Sequence, residues 1–181
     1  MLVNSVMNIY IAIFGRPSDH AGYQWFSDHT KGGSDFSQIS DVTGTPEYLS
    51  LYEGMASHNV VESLYLELFN RGPEEAGLRY WTERFENGEL DLTNIAVSIA
   101  TAAGGADLLT LQNKTFAAYN FMNALDTPTM DAAYAGERAA AFGREYLDTV
   151  TYDPATVPTQ DEAHVKITGW MIEESQTLSD F

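Results

Sequence analysis

Apolar residues recur at helical spacing from the first turns of the chain. Val6, Ile9, Tyr10, Ile13 and Phe14 fall at i, i+3, i+4, i+7 and i+8, the stripe of a helix packed along one face. The same series returns 55 residues later as Val61, Leu64, Tyr65, Leu68 and Phe69. In the later stretch Glu62, Ser63 and Glu67 take the opposite side. In the earlier one Met7, Asn8 and Ala12 stand there, so the first helix is expected to be the more deeply buried. Alternation of period two, the mark of a half-buried strand, is essentially absent.

The repetition extends past these stripes. Tyr10-Ile-Ala-Ile-Phe14-Gly-Arg16 aligns with Tyr65-Leu-Glu-Leu-Phe69-Asn-Arg71, Ala21-Gly22 with Ala76-Gly77, and Gly33 with Gly88. A one-residue adjustment then pairs Asp35-Phe36-Ser37-Gln38-Ile39 with Asp91-Leu92-Thr93-Asn94-Ile95. This is the signature of one supersecondary unit occurring twice. Gly15 in one copy, and Asn70 with Gly72 in the other, supply residues that tolerate a left-handed helix end. Ser18 or Asp19 can cap a second helix carrying Tyr23, Trp25 and Phe26, matched by Leu78, Tyr80 and Trp81. Asp35 and Asp91 read as N-caps of a third helix, facing inward through Phe36, Ile39 and Val42 or through Leu92, Ile95, Ala96 and Ile99. Thr45-Pro46-Glu47 reads as a cap with proline at the first helical position of a short helix, closed by Gly54.

After Gly104-Gly105 the repeat stops, and the spacing predicts three longer helices at about 107–125, 129–150 and 159–177. The expected architecture is all-α: a duplicated three-helix unit over residues 1–105, with copies at about 3–54 and 57–105, and a C-terminal helical subdomain over 106–181 packed on it.

Composition narrows the partners. Twenty-six acidic residues against nine Lys and Arg give a formal net charge of −17, which opposes nucleic-acid phosphates and anionic headgroups. Nucleic acid is therefore not expected as a partner. The absence of cysteine removes disulfides, thiolate metal sites and a cysteine nucleophile. No apolar run reaches the roughly 18–20 residues of a membrane span, so membrane insertion is not expected either. The apolar start from Met1 to Phe14 lacks a basic region and reads as a buried helix.

The strings Tyr10 to Trp25 and Tyr65 to Trp81 resemble the repeat of a bacterial domain family of unknown function, roughly Tyr-x-x-x-Leu-Gly-Arg-x-Pro-Asp-x-x-Gly-x-x-Tyr-Trp. That pattern is met in surface-layer proteins and in RTX-like proteins exported by type I secretion. Thr45-Pro46-Glu47-Tyr48 is similar to the family's Ser-x-Glu-Phe segment, and Leu111-Gln-Asn-Lys114 to a helix that often follows the repeats. The second copy departs from the pattern in carrying Asn70 for the loop glycine and Gly72 before Pro73. The resemblance implies a non-enzymatic helical module of extracellular or cell-surface proteins, in some cases attached to a surface polysaccharide. A more distant similarity runs to phycobilisome linker domains, which implies scaffolding, though this acidic chain lacks the basic surfaces such a linker would need.

Candidate chemistry is sparse. Arg16 and Arg71 each lie just past a helix C-terminus, where a guanidinium either staples exposed carbonyls and a nearby acid or contacts a ligand. Tyr23, Trp25, Tyr80 and Trp81 either form a sugar-stacking platform beside those loops or belong to the core. His20, His29, His58 and His164 show no HExxH spacing, so no zinc site is expected. No cofactor is expected; calcium suits the acidity, but neither an EF-hand loop nor a glycine-aspartate nonapeptide occurs. Gly136 and Gly143 on one Ala-rich segment would allow close helix approach, either inside the fold or in a homo-oligomer. The expectation is a binding or assembly module for a cell-surface glycan or other protein subunits, the alternative being a structural scaffold of a larger assembly.

Overall fold

The computed structural model describes residues 6–33, 35 and 45–179. Among these the chain forms ten α-helices and no strand, so the fold is all-α. The first helix, α1 (Val6–Phe14), is buried at every position, including Asn8, whose side-chain oxygen is hydrogen-bonded by Thr115. It lies at the centre, packed against α2 (His20–His29), α3 (Pro46–Tyr52), α4 (Ser57–Phe69), α6 (Leu92–Ala102) and α7 (Gly105–Ala124). Its counterpart α4 buries Val60, Val61, Leu64, Tyr65, Leu68 and Phe69 and leaves Glu62 and Leu66 exposed, the difference that the two stripes imply.

Local signals place the helix ends. Asp19 caps α2 by accepting from the amide of Gly22, and Thr45 caps α3 with Pro46 at its first position. Asp91 and Asn94 exchange side-chain bonds with each other's amides at 2.8 and 3.0 Å, which starts α6. Asn70 ends α4 in the left-handed region at φ 57° and Gly15 ends α1 at φ 68°, conformations that asparagine and glycine adopt most readily. The helix α5 (Glu75–Glu86) follows the second of these turns. The third helix expected after Asp35, with Phe36, Ile39 and Val42 inward, lies outside the described residues.

The C-terminal part departs from expectation in one respect. The segment read as a helix over 129–150 is two helices, α8 (Pro128–Ala133) and α9 (Gly136–Asp148). Tyr134 leaves helical geometry and its hydroxyl donates to the carbonyl of Pro17, while Gly136 turns the chain at φ 84°. The last helix, α10 (Gln160–Ser179), opens with a reciprocal cap between Thr159 and Glu162 and packs along α7. One apolar cluster runs from Val6 through Phe121, Tyr146 and Ile167, so the C-terminal helices share the core of the N-terminal ones. No single helix among the described residues is long and apolar enough to cross a membrane.

Candidate functional site: two arginine clamps and the cleft between α3 and α9

The loop after α1 is held by Arg16. Its Nε and Nη2 donate to the two carboxylate oxygens of Glu47 at 2.6 and 2.8 Å, and its Nη1 donates to the carbonyl of Pro17 at 3.0 Å. The guanidinium lies 5.3 Å from the ring centre of Tyr10 and 5.4 Å from that of Tyr134. Burial alone would disfavour this charge, but the bonds to Glu47 outweigh it and hold Arg16 above the usual arginine range. Glu47 stands in the first turn of α3, so the clamp ties the exit of α1 to the start of α3.

The loop after α4 repeats the arrangement. Arg71 donates from Nε and Nη2 to the two oxygens of Asp107 at 2.7 and 2.6 Å, and from Nη1 to the carbonyl of Gly72 at 2.8 Å. Its guanidinium lies 5.6 Å from the ring of Tyr65. Asp107 is in the first turn of α7, as Glu47 is in that of α3. The clamps differ in exposure: the Arg16 side chain is 11% exposed and that of Arg71 37%. These bonds account for both arginines through internal acceptors, with the i+1 carbonyl and the downstream acid playing the same parts in each.

The aromatic candidates divide. Trp81 is buried and its indole N–H donates to the Tyr65 hydroxyl at 3.2 Å, while the aligned Phe26 is buried edge-on to Tyr10 at 5.1 Å. Tyr23 is half-buried, edge-on to Tyr119 at 5.9 Å. Trp25 and Tyr80 are the exposed pair, and each carries the side chain one turn further on: His29 stacks on Trp25 at 3.9 Å, and Arg84 lies 5.3 Å from the Tyr80 ring. They stand on separate helices, α2 and α5.

Four further side chains complete the picture. Glu67, whose spacing suggests the solvent side of α4, turns its carboxyl onto Gly15, where an added Cβ would collide with Oε2. Oε2 is buried without a hydrogen-bond partner among the described residues. Burial pushes this carboxyl up to about 7 despite the attraction of Lys114. Lys114 is fully buried on α7 and donates from Nζ to the Glu67 carbonyl at 2.6 Å; its own burial lowers it to about 8. The Asn70 amide donates to the carbonyls of Asp148 and Val150, and Arg144 donates from Nη1 to that of Phe14 at 3.0 Å. The ends of α1, α4 and α9 therefore send carbonyls left free by their helices to a common region, where one buried and two half-buried side chains donate to them. The signal in the sequence is Lys114 itself, a lone cation on the stripe of Leu111, Thr115, Ala118 and Phe121.

Beside the first clamp lies a cleft of about 460 Å³ lined by Pro46, Glu47, Ser50, Glu137, Ala140 and Arg144, together with Gly136. Helical spacing forms it, since Glu137, Ala140 and Arg144 lie at i, i+3 and i+7 on α9 and Pro46, Glu47 and Ser50 share a face of α3. Gly143 sets the approach of α9 to the first clamp: a Cβ there would meet the Tyr134 hydroxyl and stand 3.1 Å from Cβ of Arg16. Among the described residues no group of three or more His, Asp or Glu is placed to hold a metal ion.

Fold and site define an all-α protein whose loops are clamped by arginine onto the first turns of later helices. Residues 39–107 match the model of a domain of unknown function, DUF4214. The match spans both partners of the second clamp, Arg71 and Asp107, and the acceptor Glu47 of the first. No curated protein and no solved structure matches the chain.

Proposed function

We propose that this chain is a non-enzymatic binding module, built on a duplicated clamped unit, that works outside the cell or at its surface by attaching to an envelope polysaccharide. The observation that carries the reading is the cleft between α3 and α9. It is a concave, mixed polar and apolar site beside a rigid clamp, the kind of place where small polar ligands bind. The resemblance of the Tyr10 and Tyr65 strings to repeats of surface-layer and RTX-like proteins supports the location. Retention of purified envelope polysaccharide on the immobilised full chain tests it. Saturable retention is expected, and none at millimolar saccharide would refute the reading.

A second reading, a structural subunit of a larger assembly, is favoured by exposed apolar residues one heptad apart: Leu109 and Phe116 on α7, and Val165 and Ile172 on α10. Such stripes suit contact with other protein subunits or with further copies of this chain. Light scattering over a hundredfold concentration range tests it, since a scaffold self-associates or co-purifies with a partner at fixed stoichiometry and an independent binding module stays monomeric.

A further inference from the structure

Arg144 differs from the two clamp arginines in what its guanidinium leaves open. Arg16 and Arg71 each turn the Nε and Nη2 edge onto a carboxylate at 2.6–2.8 Å and spend Nη1 on a carbonyl. Arg144 likewise spends Nη1 on a carbonyl, that of Phe14, with Glu47 Oε1 at 3.5 Å, but its Nε and Nη2 have no partner among the described residues. The side chain is 18% exposed and lines the α3–α9 cleft. A guanidinium anchored at one end and open along its bidentate edge is preorganised for a planar anion. Its neighbours select further. Glu137 offers acceptor oxygens, and Ser50, which already donates to the Glu47 carbonyl, offers another. Glu47 adds little repulsion because Arg16 neutralises it. One cationic fork beside several acceptors fits a ligand bearing one carboxylate and several hydroxyls. The volume of about 460 Å³ lies within the range of small-molecule sites, roughly 300–1,000 Å³.

We propose that the α3–α9 cleft binds a sugar acid, its carboxylate on the Nε–Nη2 edge of Arg144 and its hydroxyls on Glu137 and Ser50. This rests on the polysaccharide-binding reading and names the residue class within the polymer that is recognised. The test is a titration of the full chain with sodium glucuronate, glucose and inorganic phosphate in parallel, followed by calorimetry and by the arginine Nε–H signals in NMR. Two variants accompany the wild type: Arg144→Lys, which keeps the charge and loses the fork, and Ser50→Trp, which fills the mouth from an exposed position. Glucuronate is expected to bind and shift the Arg144 signal, with glucose and phosphate at least tenfold weaker. Both variants should lose at least tenfold in glucuronate affinity while melting close to the wild type. Equal binding of glucose, equal or tighter binding of phosphate, or full affinity in both variants would overturn the assignment. Polysaccharide retained undiminished by Arg144→Lys would sink this site alone. Glucuronate bound at Arg144 with no polysaccharide retained would sink the broader reading alone.

Discussion

Replacing each clamp arginine by methionine removes the same bonds from two environments and measures what burial contributes. At Arg16 the change strips the Glu47 carboxylate of both donors and the Pro17 carbonyl of one, in a side chain only 11% exposed. Breaking a buried pair from one side costs about 3–5 kcal/mol, and because the Glu47 side chain is 26% exposed and regains some water, the lower end, about 3 kcal/mol, applies. At Arg71, 37% exposed, water replaces more of what is lost, and about 1 kcal/mol is expected. For a chain of this size these losses correspond to falls in melting temperature of roughly 6–12 °C and 2–4 °C. Urea titrations followed by far-ultraviolet circular dichroism would give the two free energies directly. Losses within about 0.5 kcal/mol of each other, or a larger loss at Arg71, would refute the argument that burial sets the worth of the clamp.

Glu67 provides a pH signature. Its folded carboxyl is raised to about 7 from an ordinary 4.5, so the folded state binds the proton more tightly than the unfolded chain. The corresponding stability is fully present below pH 4.5 and is lost as pH rises through about 7. The wild type should thus lose on the order of 2 kcal/mol between pH 5 and pH 8 relative to Glu67→Gln, in urea titrations at each pH; parallel profiles would contradict this. Gly143→Ala drives a Cβ into the Tyr134 hydroxyl and against the Arg16 loop and should cost about 1–3 kcal/mol by thermal melting, whereas an unchanged melt would show that α9 has room to withdraw. Trp81→Phe removes the indole donor from the Tyr65 hydroxyl and should cost about 1 kcal/mol by the same assay, with no loss indicating that water satisfies that hydroxyl.

The helices were readable where the chain spends residues on local signals. The stripes of Val6 to Phe14 and Val61 to Phe69, the cap at Thr45-Pro46 and the left-handed end at Asn70 each act within a few residues, and α1, α3 and α4 follow them. Part of the cause of the break at Tyr134 is remote in the chain, since its hydroxyl bonds the carbonyl of Pro17, 117 residues earlier, where periodicity carries no signal; Gly136 is the local part. The clamps were half visible. The repeated arginines marked the loops, but their acceptors Glu47 and Asp107 lie 31 and 36 residues away, where periodicity carries no information about pairing. Arg144 was invisible for a different reason. On an amphipathic helix a lone arginine looks like any solvated charge, and only the packing of α9 on the Arg16 loop turns it toward a cleft.

In the proposed division of labour Arg16 and Arg71 close the fold, and Arg144, anchored on the Phe14 carbonyl, turns its remaining donors to a ligand. Glucuronate affinity measured alongside melting temperature for Arg71→Lys and Arg144→Lys tests that division most directly. The expected result is a lower melting temperature with unchanged affinity for Arg71→Lys, and lost affinity with a melt near that of the wild type for Arg144→Lys. Lost affinity in Arg71→Lys with full affinity in Arg144→Lys would contradict it.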